Sequence, residues 1–190
     1  MKANDSFTKG FTLIELMTVV AITAIIVGIA IPGFAELLIR TRLTAITNEL
    51  VSSLNLARSE AVKRGRIVVV RKTGTHWENG WRVFVDIDRS TDARKNVFDD
   101  DDIELRVYAP LPQNYTLRGN NSIANFIAYK PDGGSNRFGS FAICQTEDVH
   151  RAKMVVVNST GRIKIAPDAD HDGIPENSSG DELSSCISGF

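Results

Sequence analysis

Glu15 is the one charged residue in an otherwise uncharged, apolar run between Phe11 and Phe34, FTLIELMTVVAITAIIVGIAIPGF. That run is longer than the roughly 20 residues a helix needs to cross a bilayer core. A carboxylate there costs about 2.5–3.5 kcal/mol on insertion scales, so its presence points to a use. The chemistry open to it is pairing with a cation that another molecule in the membrane supplies, which neutralises both charges in low dielectric. Snorkelling to the headgroups is the plainer alternative. A second acidic group, Asp168, Asp170, Asp172 and Glu176, surrounds Gly173 in DADHDGIPE. Hard oxygen donors at alternate positions before a glycine are what a calcium loop uses. Ser179 stands where a twelve-residue loop of that kind needs its closing glutamate, and a solvated acidic tail is the alternative. The acidic run 99–102 reads as a solvated loop, with a cation site as the alternative. His76, His150 and His171 match no metalloenzyme spacing, and no nucleophile motif or phosphate-cradling loop is present, so no catalysis is expected.

The residues ahead of the apolar run, MKANDSFTKG, are polar and end in Lys9-Gly10. A secretory signal peptide has its apolar stretch first and its small-residue cleavage site after it; here the order is reversed. KGFTLIE, residues 9–15, resembles the class III signal of type IV pilins and type II secretion pseudopilins. The resemblance implies that a prepilin peptidase in the membrane removes residues 1–10, cutting between Gly10 and Phe11, and that the new amino terminus is N-methylated. It also implies a partner for Glu15, the ammonium on Phe11 of a neighbouring subunit. Basic residues do not set the topology: Lys2 and Lys9 precede the span, and Arg40 and Arg42 follow it. A single pass through the inner membrane with the head in the periplasm, followed by entry into a surface fibre, is an implication of the resemblance.

These residues must be carried by a long helix and a head. From position 35 the apolar run becomes a stripe, Ile39, Leu43, Ile46, Leu50, Leu54, Ala57 and Ala61, at the three- and four-residue steps of one helix face. Gly65, after Lys63-Arg64, is the expected helix stop. Pro32, followed by Gly33, is the expected kink between a membrane half, 11–34, and an amphipathic half, 35–65. Over residues 66–190 the period changes to two. Strands are expected at 66–72, 81–87, 105–109, 123–129, 140–145, 153–158 and 162–165, with Trp81, Val83, Val85 and Ile87 facing the core. Asn158-Ser159-Thr160-Gly161 is a compact hairpin signal. The fold class is therefore α+β, a long N-terminal helix whose second half packs on an antiparallel β-sheet head. With 190 residues, 43 % of them hydrophobic, the chain has enough for one small packed head beyond its helix.

LNLARSEAVKRGRIVVV, NGWRVFVDID and VVVNSTGRIKI, beginning at Leu54, Asn79 and Val155, resemble the GspH/FimT group of minor type IV pilins and minor pseudopilins. That likeness implies the type IV pilin-like fold and a low-copy, non-enzymatic subunit near a fibre tip, with other minor and major pilins as partners. A minor pseudopilin of type II secretion is the first alternative. The second is a DNA receptor for natural transformation, as in FimT-type members with a Gly-Arg-x-Arg patch. Here that patch reads Gly161-Arg162-Ile163-Lys164, and a lysine does not reproduce the planar fork of arginine. Beyond Pro167 the chain has six carboxylates and no Lys or Arg, which repels a phosphate backbone. Arg58, Lys63, Arg64, Arg66, Arg71 and Lys72 are read as capping the helix and facing a neighbour. The chain has two cysteines, Cys144 and Cys186. In an oxidising compartment they pair, contributing about 4 kcal/mol; two buried thiols are the alternative.

Overall fold

The computed structural model describes residues 10–120, 122–177 and 179–188. The expected leader, apart from Gly10, lies outside the described residues, as do Lys2 and Lys9. The chain forms two compact units, Met1–Ile39 and Arg40–Phe190. One helix, α1, runs from Leu13 to Arg64. It remains helical at Pro32 and Gly33, so the disturbance expected there does not end it.

In the second unit the sequence stripe becomes the core. Leu43, Ile46, Leu50, Leu54, Ala57 and Ala61 are all buried, as the three- and four-residue steps require. The helix stops where Gly65 takes φ +62°, and the Arg66 N–H returns to the Ala61 carbonyl at 3.3 Å, a Schellman closure.

Among the described residues, eight strands form two four-stranded antiparallel sheets rather than one. In the first, β1 (Val68–Lys72), β2 (Trp81–Val85), β3 (Ile103–Tyr108) and β5 (Phe126–Tyr129) lie in the order β3-β2-β1-β5. In the second, β4 (Tyr115–Gly119), β6 (Gly139–Gln145), β7 (Asp148–Val157) and β8 (Ile163–Ile165) lie in the order β4-β6-β7-β8. Each of the seven expected runs overlaps a strand, although β3 begins two residues, β6 one residue and β7 five residues before the expected start. The eighth, β4, lies between Pro112 and Asn120 and buries only Leu117, too short an alternation to register as a pattern. A 3-10 turn, Trp77–Asn79, links the sheets. The Trp77 ring meets Phe141 edge-on at 5.0 Å, its indole N–H donates to the Ile123 carbonyl at 3.2 Å, and Glu78 pairs with Arg118 of β4.

Both sheets are covered on their outer faces too, which the alternation of β2 does not foretell. Trp81, Val83 and Val85 face inward as expected, yet Phe84 between them is also fully buried, and Ile87 lies past the strand end. Phe84 packs with Val69 and Ala128 beneath Phe98, whose ring lies 5.3 Å away. Phe98 belongs to the connection between β2 and β3, and that connection is pinned by charge. Arg94 pairs with Asp88, with Asp99 at 2.9 Å and with Asp101 at 2.8 Å, while Asp102 accepts from the Ile87 N–H at 2.8 Å. Within the run 99–102, Asp99, Asp101 and Asp102 are thus tied to the head, while Asp100 and Asp101 stay exposed, so the expected solvated loop is pinned in part. Burial pushes the Asp86 carboxyl up, against the Asn96 N–H and the Arg89 guanidinium that hold its Oδ2.

The second sheet is covered by the C-terminal tail. Ala166, Ile174, Leu183 and Cys186 pack on Ala142, Cys144, Ala152 and Met154. Cys144 and Cys186 form a disulfide, with Cα atoms 6.1 Å apart.

The turn between β7 and β8 is the expected hairpin, with the Gly161 N–H donating to the Asn158 carbonyl at 2.9 Å. Gly161 has φ +75°, and a Cβ there would run into the Gly133 carbonyl oxygen. That oxygen is held by Arg58 Nε of α1 at 3.0 Å, so neither turn can give way freely. Gly161→Ala is expected to destabilise the head by about 2–4 kcal/mol, combining left-handed strain with overpacking. Urea unfolding followed by the fluorescence of the two buried tryptophans, Trp77 and Trp81, measures it.

Candidate functional site

Among the described residues, nothing in its own unit covers the apolar surface of the N-terminal segment. Its most apolar 18-residue window has a mean hydropathy of 2.5, and none of that window is buried. Phe11 is 82 % exposed just ahead of the helix, beside Gly10. The hydroxyls in this stretch are satisfied internally, Thr18 by the Glu15 carbonyl at 2.9 Å and Thr23 by the Val19 carbonyl at 2.7 Å. In a bilayer that leaves few polar groups without partners.

Glu15 sits in the first turn of α1, and the structure gives it a local role that sequence reasoning missed. The Thr12 N–H and hydroxyl both donate to Glu15 Oε2, at 3.1 and 3.0 Å. The Glu15 N–H in turn donates to Thr12 Oγ1 at 3.2 Å. This is a capping box, and the Thr-x-x-Glu spacing that signals one is legible in FTLIE. A carboxylate also suits the positive end of the helix dipole.

In the head, the carboxylate oxygens of Asp168, Asp170 and Asp172 converge to within 4.8 Å of one another. Asx-type bonds fold the loop: Gly173 N–H to Asp168 Oδ2 at 3.1 Å, and Ile174 N–H to Asp172 Oδ1 at 2.8 Å. His171 and Gly173 take positive φ to make this turn. Asp168 Oδ1 is buried and has no hydrogen-bond partner among the described residues. Glu176 does not join them, because its carboxylate accepts the Ala169 N–H at 2.9 Å. The expected set of four is thus a set of three. The histidines lie on different elements, His76 beside the 3-10 turn, His150 on β7 and His171 in the acidic loop.

Arg162 and Lys164 are exposed and line a shallow groove with Asn158 and Val156 at the edge strand β8. The other basic group is largely taken up within the head. Arg58 reaches the Gly133 and Thr160 carbonyls, Arg71 the Asn96 carbonyl and Lys72 the Thr75 carbonyl. Lys63 and Arg64 pair with Glu60 in the last turns of α1. Lys63 and Arg64 sit in the last turn of the helix as expected, and with Arg66 they remain exposed there.

Comparison with known proteins places two family models on the chain. One, described as type II transport protein GspH, matches residues 47–161; the other, a prokaryotic N-terminal methylation motif, matches residues 6–31. A fimbrial protein of Pseudomonas aeruginosa is 37 % identical over 105 residues, covering 54 % of this chain and 68 % of that protein. The crystal structure of the type IV minor pilin FimU of Pseudomonas aeruginosa superposes with a TM-score of 0.57 at 21 % identity. It covers 77 % of this chain and 96 % of that one. A second crystal form of FimU gives 0.55 and 21 %, covering 76 % and 99 %. The likeness to FimU is one of fold.

Proposed function

Because this chain belongs to the GspH family of minor pilins and pseudopilins and carries the N-terminal methylation motif, we propose that it is a FimU-like minor type IV pilin. It acts as a tip-proximal, non-catalytic subunit that starts or supports pilus assembly. The observation that carries this reading is an apolar helix whose membrane-length stretch is left uncovered among the described residues, with one carboxylate in its first turn. The prepilin peptidase cuts after Gly10, the head lies in the periplasm, and Phe11 to Ile31 pack among other pilins as the chain leaves the inner membrane. Glu15 is neutralised there by the amino terminus of a neighbour. Similarity to a fimbrial protein over half the chain favours the pilus over type II secretion. Sheared surface fibres from the native host, probed for this chain, test the choice. Its presence in them, with twitching lost on deletion, is the expected result. Loss of secreted enzymes with twitching intact would assign it to secretion instead. DNA reception has less support, since the β8 groove offers two cations and the tail that follows it is acidic.

A calcium-class cation at Asp168, Asp170 and Asp172 is a second proposal. Three convergent carboxylates are a hard-oxygen donor set, and the buried, unpartnered Asp168 Oδ1 is an acceptor awaiting a positive partner. Such an ion would hold the tail against the second sheet. At a hundredfold excess over Kd, calcium is expected to raise Tm by about 5–10 °C, and Asp170→Asn to abolish that rise. A melting curve unmoved by calcium or by a chelator removes the proposal.

A further inference from the structure

We propose that Thr12 is a positioning residue for assembly, fixing one oxygen of the Glu15 carboxylate and leaving the other for an incoming ammonium. The inference rests on the pairing role of Glu15 and adds the group that aims it. Both bonds from Thr12 fall on Oε2, and neither reaches Oε1. A glutamate side chain has three rotatable bonds, and ordering it at the moment of docking costs free energy that prior ordering avoids. The box ties those bonds down before a neighbour arrives. It also draws the carboxylate back toward the start of α1, the end at which Phe11 lies.

The box lies wholly within Thr12 to Glu15, so cutting the Gly10–Phe11 bond leaves all three of its hydrogen bonds in place. Processing then converts the adjacent Phe11 nitrogen from an amide to an amine without disturbing the acid that is to receive such an amine. The hydroxyl serves twice, donating to Oε2 and accepting from the Glu15 N–H through one and the same oxygen, and among small side chains serine offers the same single-atom arrangement. Valine keeps the shape of threonine and can do neither. Serine keeps the chemistry and loses only a methyl group.

The experiment expresses the full-length chain in its native host and measures the fraction of processed, membrane-inserted subunit that enters fibres. Normalising to processed chain removes any effect on the peptidase. Thr12→Val is expected to lower that fraction about five- to tenfold, the scale of a lost N-cap, and Thr12→Ser to stay within about twofold of the parent. In a Glu15→Gln background Thr12→Val is expected to add nothing. Parental incorporation of Thr12→Val overturns the proposal, as does equal failure of Thr12→Ser or a full additive loss in the Glu15→Gln background. If Glu15→Val itself enters fibres normally, the pairing role fails. If Glu15→Val is excluded while Thr12→Val is not, the positioning role alone falls.

Discussion

Glu15→Val is expected to stay in the membrane, be cut after Gly10, and be missing from the fibres. Insertion becomes easier, because the one charge in the apolar run is gone. Assembly fails because the ammonium of a neighbouring Phe11 is left buried without its counter-charge. Breaking a buried pair from one side costs about 3–5 kcal/mol, more than a hundredfold in the partition between membrane and fibre. Quantitative blotting of sheared fibres against membranes from the same cells reads that ratio directly. The exposure of every described large apolar side chain from Phe11 to Leu38 makes the expectation specific. Packing between subunits supplies the bulk attraction and survives the substitution, whereas the charge match does not.

The second large effect is expected from Cys144→Ser. The bridged residues are 42 positions apart, and cross-linking a loop of that length contributes about 4 kcal/mol on the chain-entropy account. Cys144 is on β6, between β4 and β7 in the second sheet, and Cys186 is in the tail that covers it. The first consequence of opening the bridge is therefore release of the tail, with the sheets retained. Glu176 is buried in the closed tail while Glu182 is exposed. A glutamate-specific protease should then begin to cut after Glu176 in the variant and leave that bond intact in the parent. Cys144→Ser with Cys186→Ser should behave like either single change, since each removes the same bond. A tail equally protected in the variant would show that packing of Ile174 and Leu183 holds it unaided.

What could be read in advance follows from the range of the signal. The buried face of α1 was legible because the 3.6-residue period is local, and each of Leu43, Ile46, Leu50, Leu54, Ala57 and Ala61 lies in the core. The disulfide was legible because two cysteines allow one pairing. The division into two sheets was not, because strand partners are chosen across long separations. β4 joins β6 past β5, and no pattern within Tyr115 to Gly119 states that preference. Nor were the outer covers, since 86–102 and the tail have no period to betray what Phe98 or Leu183 touch. At the acidic loop the alternation of Asp168, Asp170 and Asp172 reported their convergence. The diversion of Glu176 to a backbone N–H had no sequence signal. Thr12 is a different case: its spacing to Glu15 is a local signal, overshadowed by the charge of its neighbour.

The two coverings also decide which parts of the head are free to vary. With Phe98 seated over Phe84 in one sheet and Leu183 over the other, the middle strands are screened from the outside, while the edge strand β3 stays largely exposed. Whatever docks against the head touches strand borders and irregular connections, whose composition is only loosely tied to the interior. Related chains can thus diverge in whom they greet while inheriting an almost unaltered framework. Exchanging those outer wrappings is a more economical route to a new specificity than redesigning the sheets beneath.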